Sequence, residues 1–207
     1  MMFITFEGID LSGKSTQAKL LYEYLRKNRK KVILVREPGG TPVSEKIRDI
    51  LLDKSLKKMF SLTEFLLFSA SRHQLTEEVI KPHLKKGYIV ICDRYYDSST
   101  AYQGYGGKIE MNIIKNINAI ASNKLNPDIT FFVDIDMKES AKRRYSMKKT
   151  KDRMESKKLA YFNKVIKGYR ELSRLNKSRF VMLDGKRTIE ELQNDILNTL
   201  KKKNKNV

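Results

Sequence analysis

A lone cysteine, Cys92, has no partner for a disulfide within the chain, and with histidine only at His73 and His83 no Cys/His set can build a zinc site. The chain is expected to work in a reducing cytoplasm. Tryptophan is absent and proline occurs four times, with no Pro/Gly/Ser-rich linker and no internal repeat, so nothing in the 207 residues marks a domain boundary. One domain is the expectation, since single domains commonly hold about 100 to 200 residues. No apolar run approaches the roughly 20 residues that cross a bilayer. The opening MMFITFEGID meets an acid at Glu7, which interrupts the apolar stretch a secretory leader needs. The expectation is of a chain that neither spans a membrane nor is secreted. A hydrophobic fraction of 40%, with 9 Phe and 10 Tyr, is too apolar for a disordered chain.

Acid is scarce as well: 24 Asp+Glu stand against 43 Lys+Arg, a net charge of +19. Such a surplus attracts any polyanion, whether nucleic acid, acidic membrane or nucleotide phosphate, and does not choose among them. The basic residues fall in many short runs, such as Lys27 to Lys31, Lys54 to Lys58, Lys142 to Lys151 and Lys201 to Lys205, in a chain rich in Ile and Asn. That distribution suits solvated faces coated with lysine better than one nucleic-acid stripe.

Short apolar runs rich in β-branched and aromatic residues recur at Phe3 to Phe6, Val32 to Val35, Tyr88 to Cys92, Ile129 to Val133 and Arg179 to Leu183. Longer stretches with helical periodicity separate them, one being Ala18, Leu21, Tyr22 and Leu25. Strands alternating with helices predict a parallel sheet covered on both faces, an α/β architecture in which buried strands read as unbroken apolar runs. Ser146 to Lys158, SMKKTKDRMESKK, carries almost no apolar content and predicts a mobile charged flap, and the tail KKKNKNV is expected to fray.

The strongest signal follows the first strand: Gly8-Ile9-Asp10-Leu11-Ser12-Gly13-Lys14-Ser15, a full G-x-x-x-x-G-K-[ST] pattern leading into a helix. Its glycines let backbone N–H groups turn around phosphate oxygens, the helix N-terminus adds partial positive charge, Lys14 bridges the outer phosphates and Ser15 offers a hydroxyl to Mg²⁺. The plain alternative is a glycine turn with a solvated lysine. A phosphate loop alone does not name a reaction. Arg36-Glu37-Pro38-Gly39-Gly40-Thr41, Arg72 and Asp93-Arg94-Tyr95 bear on it, because loops at the carboxyl ends of parallel strands line the ligand crevice and arginines there are poised for a second phosphate.

The stretches FEGIDLSGKST, REPGGTPVSEKIRDILL, LLFSASR, VIKPHLKKGYIVICDRYYDSSTAYQG, NPDITFFVDI and DRME resemble the thymidylate kinases of bacterial type, from Phe3 to about Leu183. The resemblance implies a three-layer P-loop NTPase fold of nucleoside monophosphate kinase type, with a five-stranded parallel sheet flanked by helices. It implies transfer of the ATP γ-phosphate to thymidine monophosphate, Mg²⁺, and a homodimer. By position, Gly8 to Ser15 and Thr16 would hold ATP, with Lys14 catalytic and Asp10 bonding the sugar 3'-hydroxyl. Glu37 and Pro38 would border the acceptor, and Arg48 and Arg94 would hold its phosphate, as suits a forked guanidinium. Phe68 would stack on thymine and Arg72 bond its edge, with Ser99 and Gln103 completing the base pocket and Tyr102 standing near C2' of the sugar. Asp93, ending an apolar strand, would orient Mg²⁺ through water together with Ser15.

One departure matters. Where one type of thymidylate kinase places an arginine beside the P-loop carboxylate, this chain has Leu11, so the charge must come from a lid at about 143–156. Arg144 and Arg153 are the first choices there, with Arg143 and Lys148 behind them and Lys149 and Lys151 between; lysine lacks the fork. Three alternatives stand beside this reading: another nucleotide kinase of the same fold, a nucleic-acid-stimulated P-loop ATPase, and a catalytically dead P-loop interaction module.

Overall fold

The computed structural model describes residues 1–148, 150 and 152–203. Lys149, Lys151 and residues 204–207, to which the sequence assigns lid charge and a fraying tail, lie outside the described residues. The strands are β1 (Met2–Glu7), β2 (Val32–Arg36), β3 (Ile89–Asp93), β4 (Ile129–Asp134) and β5 (Phe180–Asp184), all parallel, in the order β2-β3-β1-β4-β5. Tyr88 and Arg179 fall outside the strands predicted to begin with them. Their N–H groups close turns instead, on His83 O at 3.0 Å and Asn176 O at 3.1 Å.

The chain steps outward from β1 to β2, returns to β3 and then crosses to β4, so the loops after β1 and β3 open on one crevice. Every residue of β1 is buried, whereas the edge strands alternate, leaving Leu34 36% and Met182 59% exposed. One sheet face packs Ile4, Phe6, Ile91 and Phe131 under α1 (Lys14–Lys27) and α9 (Ile189–Lys203), through Leu21, Leu25 and Ile196. The predicted stripe is there: Ala18, Leu21 and Leu25 are buried, with Tyr22 packed against them. The other side carries α2 (Pro42–Leu52), α3 (Ser61–Leu75), which continues through a π-turn into α4 (Lys81–Lys85), α5 (Tyr96–Ser99), α6 (Met111–Ala121), α7 (Met137–Ser146) and α8 (Leu159–Leu175). Each fully buried Leu, Ile or Phe contributes about 1.5 to 3 kcal/mol. After α5 a wide π-type turn, Thr100–Gly106, lies against α8. Gly168 permits that approach, since a Cβ there would sit 2.7 Å from the Tyr105 ring.

Two expectations are corrected. The segment read as an unpacked flap is ordered from Asp152 to Lys157. In it Asp152 Oδ1 accepts from Glu155 N at 2.8 Å while Glu155 Oε2 accepts from Asp152 N at 3.1 Å, a reciprocal capping pair that curls DRME into a turn. Met154, 7% exposed, inserts beside Tyr102 and Phe162. Low apolar content misled here because the cations of the segment meet a buried acid, described below. The tail is helical as far as Lys203, whose Nζ donates to Ser178 O at 2.7 Å.

Glu7 ends β1 inside the protein, accepting from Tyr95 N (2.8 Å), Ser98 Oγ (2.6 Å) and Tyr169 OH (2.8 Å). Burial, with the negative charge of Asp97 adding to it, pushes its carboxyl up from 4.5 to about 7 despite Arg94 and the Ser98 and Tyr95 bonds. A raised folded-state pKa means that the neutral form favours folding, so this contribution is complete below about 4.5 and is lost as pH rises through about 7. Unfolding free energy should therefore decline by about 1 to 3 kcal/mol between these limits, at 1.36 kcal/mol per unit shared with coupled neighbours. Glu7→Gln keeps the shape and one of the two acceptor oxygens but cannot ionise. Urea titrations across this range should show a flatter pH profile for the variant; an unchanged profile would remove Glu7 as its source.

Candidate active site

The loop after β1 is shaped by sterics. Gly8 sits at φ 141°, where a Cβ would lie 2.6 Å from Val133 O, and Gly13 at φ 103° starts α1. Only glycine fits these positions without moving backbone. Ile9 and Ser12 are buried, and Leu11 takes a left-handed φ of 64°. Lys14 is buried, with Nζ 3.9 Å from Asp10 Oδ1. Burial and the neighbouring Arg94 lower its pKa, against Asp93, Asp10 and Glu7. Ser15 and Thr16 lie exposed in the first turn of the helix. A trough of about 550 Å³ runs over this loop and reaches Asp93, Arg94 and Arg143.

A second, smaller cleft, of about 110 Å³, adjoins the trough. It is lined by Glu37, Pro38, Arg48, Phe68, Arg72, Ser99, Tyr102 and Gln103, together with Asp10 and Arg94. Every residue proposed for an acceptor nucleotide is brought together here. The REPGGT stretch is aimed inward by its own contacts: Thr41 caps α2 by accepting from Ser44 N at 3.1 Å, Pro42 occupies its first turn, and Glu45 accepts from Gly40 N at 2.7 Å. Arg36, grouped with the phosphate-binding arginines, donates to Pro38 O and Glu45 while lining the trough. Arg48 donates to Pro38 O at 2.9 Å.

Arg72, on α3, is 1% exposed and donates to Glu37 Oε2 (2.8 Å), Asn118 Oδ1 (3.1 Å), Tyr95 O (3.3 Å) and Ser99 Oγ (3.1 Å). Glu37 is nonetheless pushed up to about 7, burial outweighing Arg72. Arg94 stands in the left-handed region at φ 72°, where its forked head donates to Gly8 O (2.8 Å), Asp10 Oδ1 (2.7 Å), Ser98 Oγ (3.2 Å) and the Tyr169 and Tyr102 hydroxyls. Such backbone strain costs about 1 to 3 kcal/mol and persists only where surroundings over-determine it.

The lid arginines point in three directions. Arg143 lies on α7 and donates to Leu11 O (3.1 Å), Ser12 O (2.9 Å) and Gly185 O, so it is the arginine braced on the P-loop. Arg144 forms a two-point pair with Glu155 at 3.1 and 3.2 Å. It lines a groove between α7 and α8 together with Lys148. Arg153 bonds Leu51 O at 2.7 Å and Glu64 at 2.8 Å and is not among the residues lining the P-loop trough. Of the three, Arg143 is the one bonded to the phosphate loop.

Two acids escape a motif-led reading. Asp152 lines both clefts, and its motif DRME draws attention to the arginine instead. Glu64 lies four residues before Phe68 and eight before Arg72, the spacing that places all three on one helix face. That spacing was the available signal.

Comparison with known proteins agrees with this geometry. The sequence pattern of the thymidylate kinase family matches residues 6–196. Thymidylate kinase of Thermosipho africanus is 46% identical over 201 residues, covering 97% of this chain and 98% of that protein. Its counterpart in Sulfurihydrogenibium sp. is 43% identical over 201 residues and 97% of both. The solved thymidylate kinase of Ehrlichia chaffeensis superposes with a TM-score of 0.77 at 35% identity, covering 96% of this chain and 98% of that one. The phosphate loop, its adjoining arginine-lined cleft and these likenesses together establish that the chain belongs to the thymidylate kinase family.

Proposed function

We propose that ATP lies in the P-loop trough and thymidine monophosphate in the adjoining cleft, and that the γ-phosphoryl group passes between them. The observation carrying this reading is that the two spaces share Asp10, Glu37, Arg48, Arg94 and Asp152. The donor's end and the acceptor's phosphate thus meet beside the same residues, as in-line transfer requires. The P-loop backbone and Lys14 hold the transferred group, while Arg48 and Arg94 neutralise the acceptor phosphate. Asp10, whose Oδ1 is held by Arg94 at 2.7 Å and whose Oδ2 accepts from the Tyr102 hydroxyl, also accepts from the 3'-hydroxyl. The Tyr102 ring, packed edge-on against Phe162 and Tyr169, walls off C2' of the sugar. The nucleic-acid-stimulated ATPase suggested by the +19 charge finds no support in the family likeness.

Mg²⁺ fits this chemistry. Asp93 Oδ1 and Glu37 Oε1 are buried without a hydrogen-bond partner, and Ser15 stands at the mouth of α1. Among the described residues no cluster of three or more acidic, His or Cys ligands exists, which suits a cation held chiefly by phosphate oxygens. Bound there by Ser15 and Asp93, it would neutralise charge on the phosphates. No helix among the described residues is long and apolar enough to cross a membrane, and the free Cys92 suits the reducing cytoplasm.

The segment 143–156 serves as the lid. On closure Arg144 exchanges Glu155 for the transferred group, while Arg143 steadies the loop. The chain also pairs with a second copy. Phe60 (80% exposed) just before α3, Leu62 and Leu66 on α3 and Ile120 (72%) on α6 leave large apolar side chains in solvent, the kind that obligate dimers bury.

Lys14→Met should retain the fold by circular dichroism and lose about a thousand-fold in turnover, measured by coupled ATP consumption with thymidine monophosphate. More than a tenth of wild-type turnover would remove Lys14 from the chemistry. In the same assay guanosine and adenosine monophosphates should be poor acceptors. Arg144→Ala should lower kcat about ten- to a thousand-fold at saturating ATP with acceptor KM little changed. Arg143→Ala should instead raise the KM for ATP. Leu66→Glu should shift the mass by light scattering from two chains to one; a wild type that is already monomeric contradicts the pairing.

A further inference from the structure

Glu64 has no place in the mechanism above, yet it is 2% exposed and is the point on which three donors converge. Gln103 Nε2 donates to its Oε1 at 3.0 Å, Arg153 to its Oε2 at 2.8 Å, and Lys157 Nζ to both oxygens at 2.9 and 3.3 Å. Burial works against charge on such a group, but Lys157, Gln103 and Arg153 together hold the carboxyl below its ordinary range. An ionised carboxylate accepts and never donates, so it can meet only the NH₂ end of a primary amide.

The consequence falls on Gln103. This residue lines the acceptor cleft and is itself 2% exposed. With its NH₂ committed to Glu64, the end left for the cleft is the carbonyl oxygen. Thymine and uracil present an N3–H donor between two carbonyls, whereas cytosine presents a bare N3 acceptor in the same place. A fixed carbonyl therefore welcomes the first kind of base and faces the second acceptor to acceptor, an arrangement that discriminates strongly when buried.

We propose that Glu64 is a specificity-determining positioning residue: its carboxylate, balanced by Arg153 and Lys157 of the lid segment, orients the Gln103 amide so that the cleft selects pyrimidines carrying an N3–H. This rests on the reading of the cleft as the acceptor-base pocket. It also explains why the lid segment is packed as it is. Arg153 and Lys157 are the countercharges of a buried acid, and removing such partners leaves an uncompensated charge.

The test is Glu64→Gln, which keeps shape but can present either amide or carbonyl to Gln103, so that the orientation is no longer imposed. With ATP saturating, kcat/KM is measured for deoxythymidine and deoxycytidine monophosphates on wild type and variant, with circular dichroism and thermal unfolding as controls. The ratio should fall about ten- to a hundred-fold, mainly through KM for the thymine nucleotide. A merely structural role would lower both acceptors alike, and an unchanged ratio in a folded variant would overturn the proposal. Should the variant fail to fold, wild-type protein labelled with ¹⁵N-glutamine answers instead, its Gln103 signals assigned by loss in Gln103→Met. The Gln103 NH₂ should exchange slowly with solvent both free and with thymidine monophosphate bound. Exchange as fast as that of free glutamine would overturn the idea. Absence of wild-type turnover of thymidine monophosphate would instead overturn the reading of the site itself.

Discussion

One strained residue joins the parts of this molecule. Arg94 follows β3 directly, and the sheet order puts β3 beside β1, so its guanidinium reaches back over the P-loop that follows β1. Its backbone N–H is held by Phe6 O at 2.9 Å and its head by Gly8 O and Asp10. The next residue, Tyr95, is tied to Glu7, and Ser98 and Tyr169 link Glu7 to the same guanidinium. A left-handed non-glycine backbone survives because so many independent bonds fix it. Loosening any of them leaves the donor loop and acceptor cleft free to move relative to one another, and transfer tolerates little such movement.

The surroundings of Arg94 show why a chain so basic still buries acids. Glu7 and Glu37, both buried and both pushed to about 7, sit near arginines without being held fully charged. Glu64 is the opposite case: two cations and an amide converge on it, and its carboxyl is lowered. The difference is the charge of the donors: Glu7 accepts from one N–H and two neutral hydroxyls, whereas Glu64 meets Arg153 and Lys157 directly. Near the reacting centre, acids that remain neutral part of the time subtract little from the positive field that phosphate groups need. Glu64 lies on the base side, where a full negative charge with its own countercharges costs that field less.

Much of this was legible in the sequence, and the limits have physical causes. Buried parallel strands betray themselves as apolar runs because both faces are covered, so all five were placed to within a residue or two; their ends were set by acids and turns, which carry no such signal. The P-loop was legible because its glycines answer to steric necessity. Directions of long charged side chains were not. Arg36, Arg143, Arg144 and Arg153 each have several partners within reach, and tertiary packing chooses among them. The lid segment was misread for a related reason: its polarity was taken as a sign of solvation, although DRME carries a capping signature and Glu64 stood in register with Phe68 and Arg72.

That register has a consequence for how the two halves of the site communicate. A single face of α3 carries Phe68 and Arg72 toward the acceptor cleft and Glu64 toward the lid segment, so the helix is a rigid bar with a base-reading end and a lid-holding end. Helices transmit displacement along their axis with little loss, and packed cores shift between discrete arrangements instead of deforming smoothly. The lid segment returns the contact: Asp152 lines both clefts and Met154 the acceptor cleft alone. In the mechanism proposed above, filling the base pocket would press on groups of this segment, and drawing the segment toward ATP would pull on the countercharges of Glu64. Acceptor recognition and closure over the donor would then act through shared atoms, a coupling that would keep the proposed lid from closing on ATP and water alone.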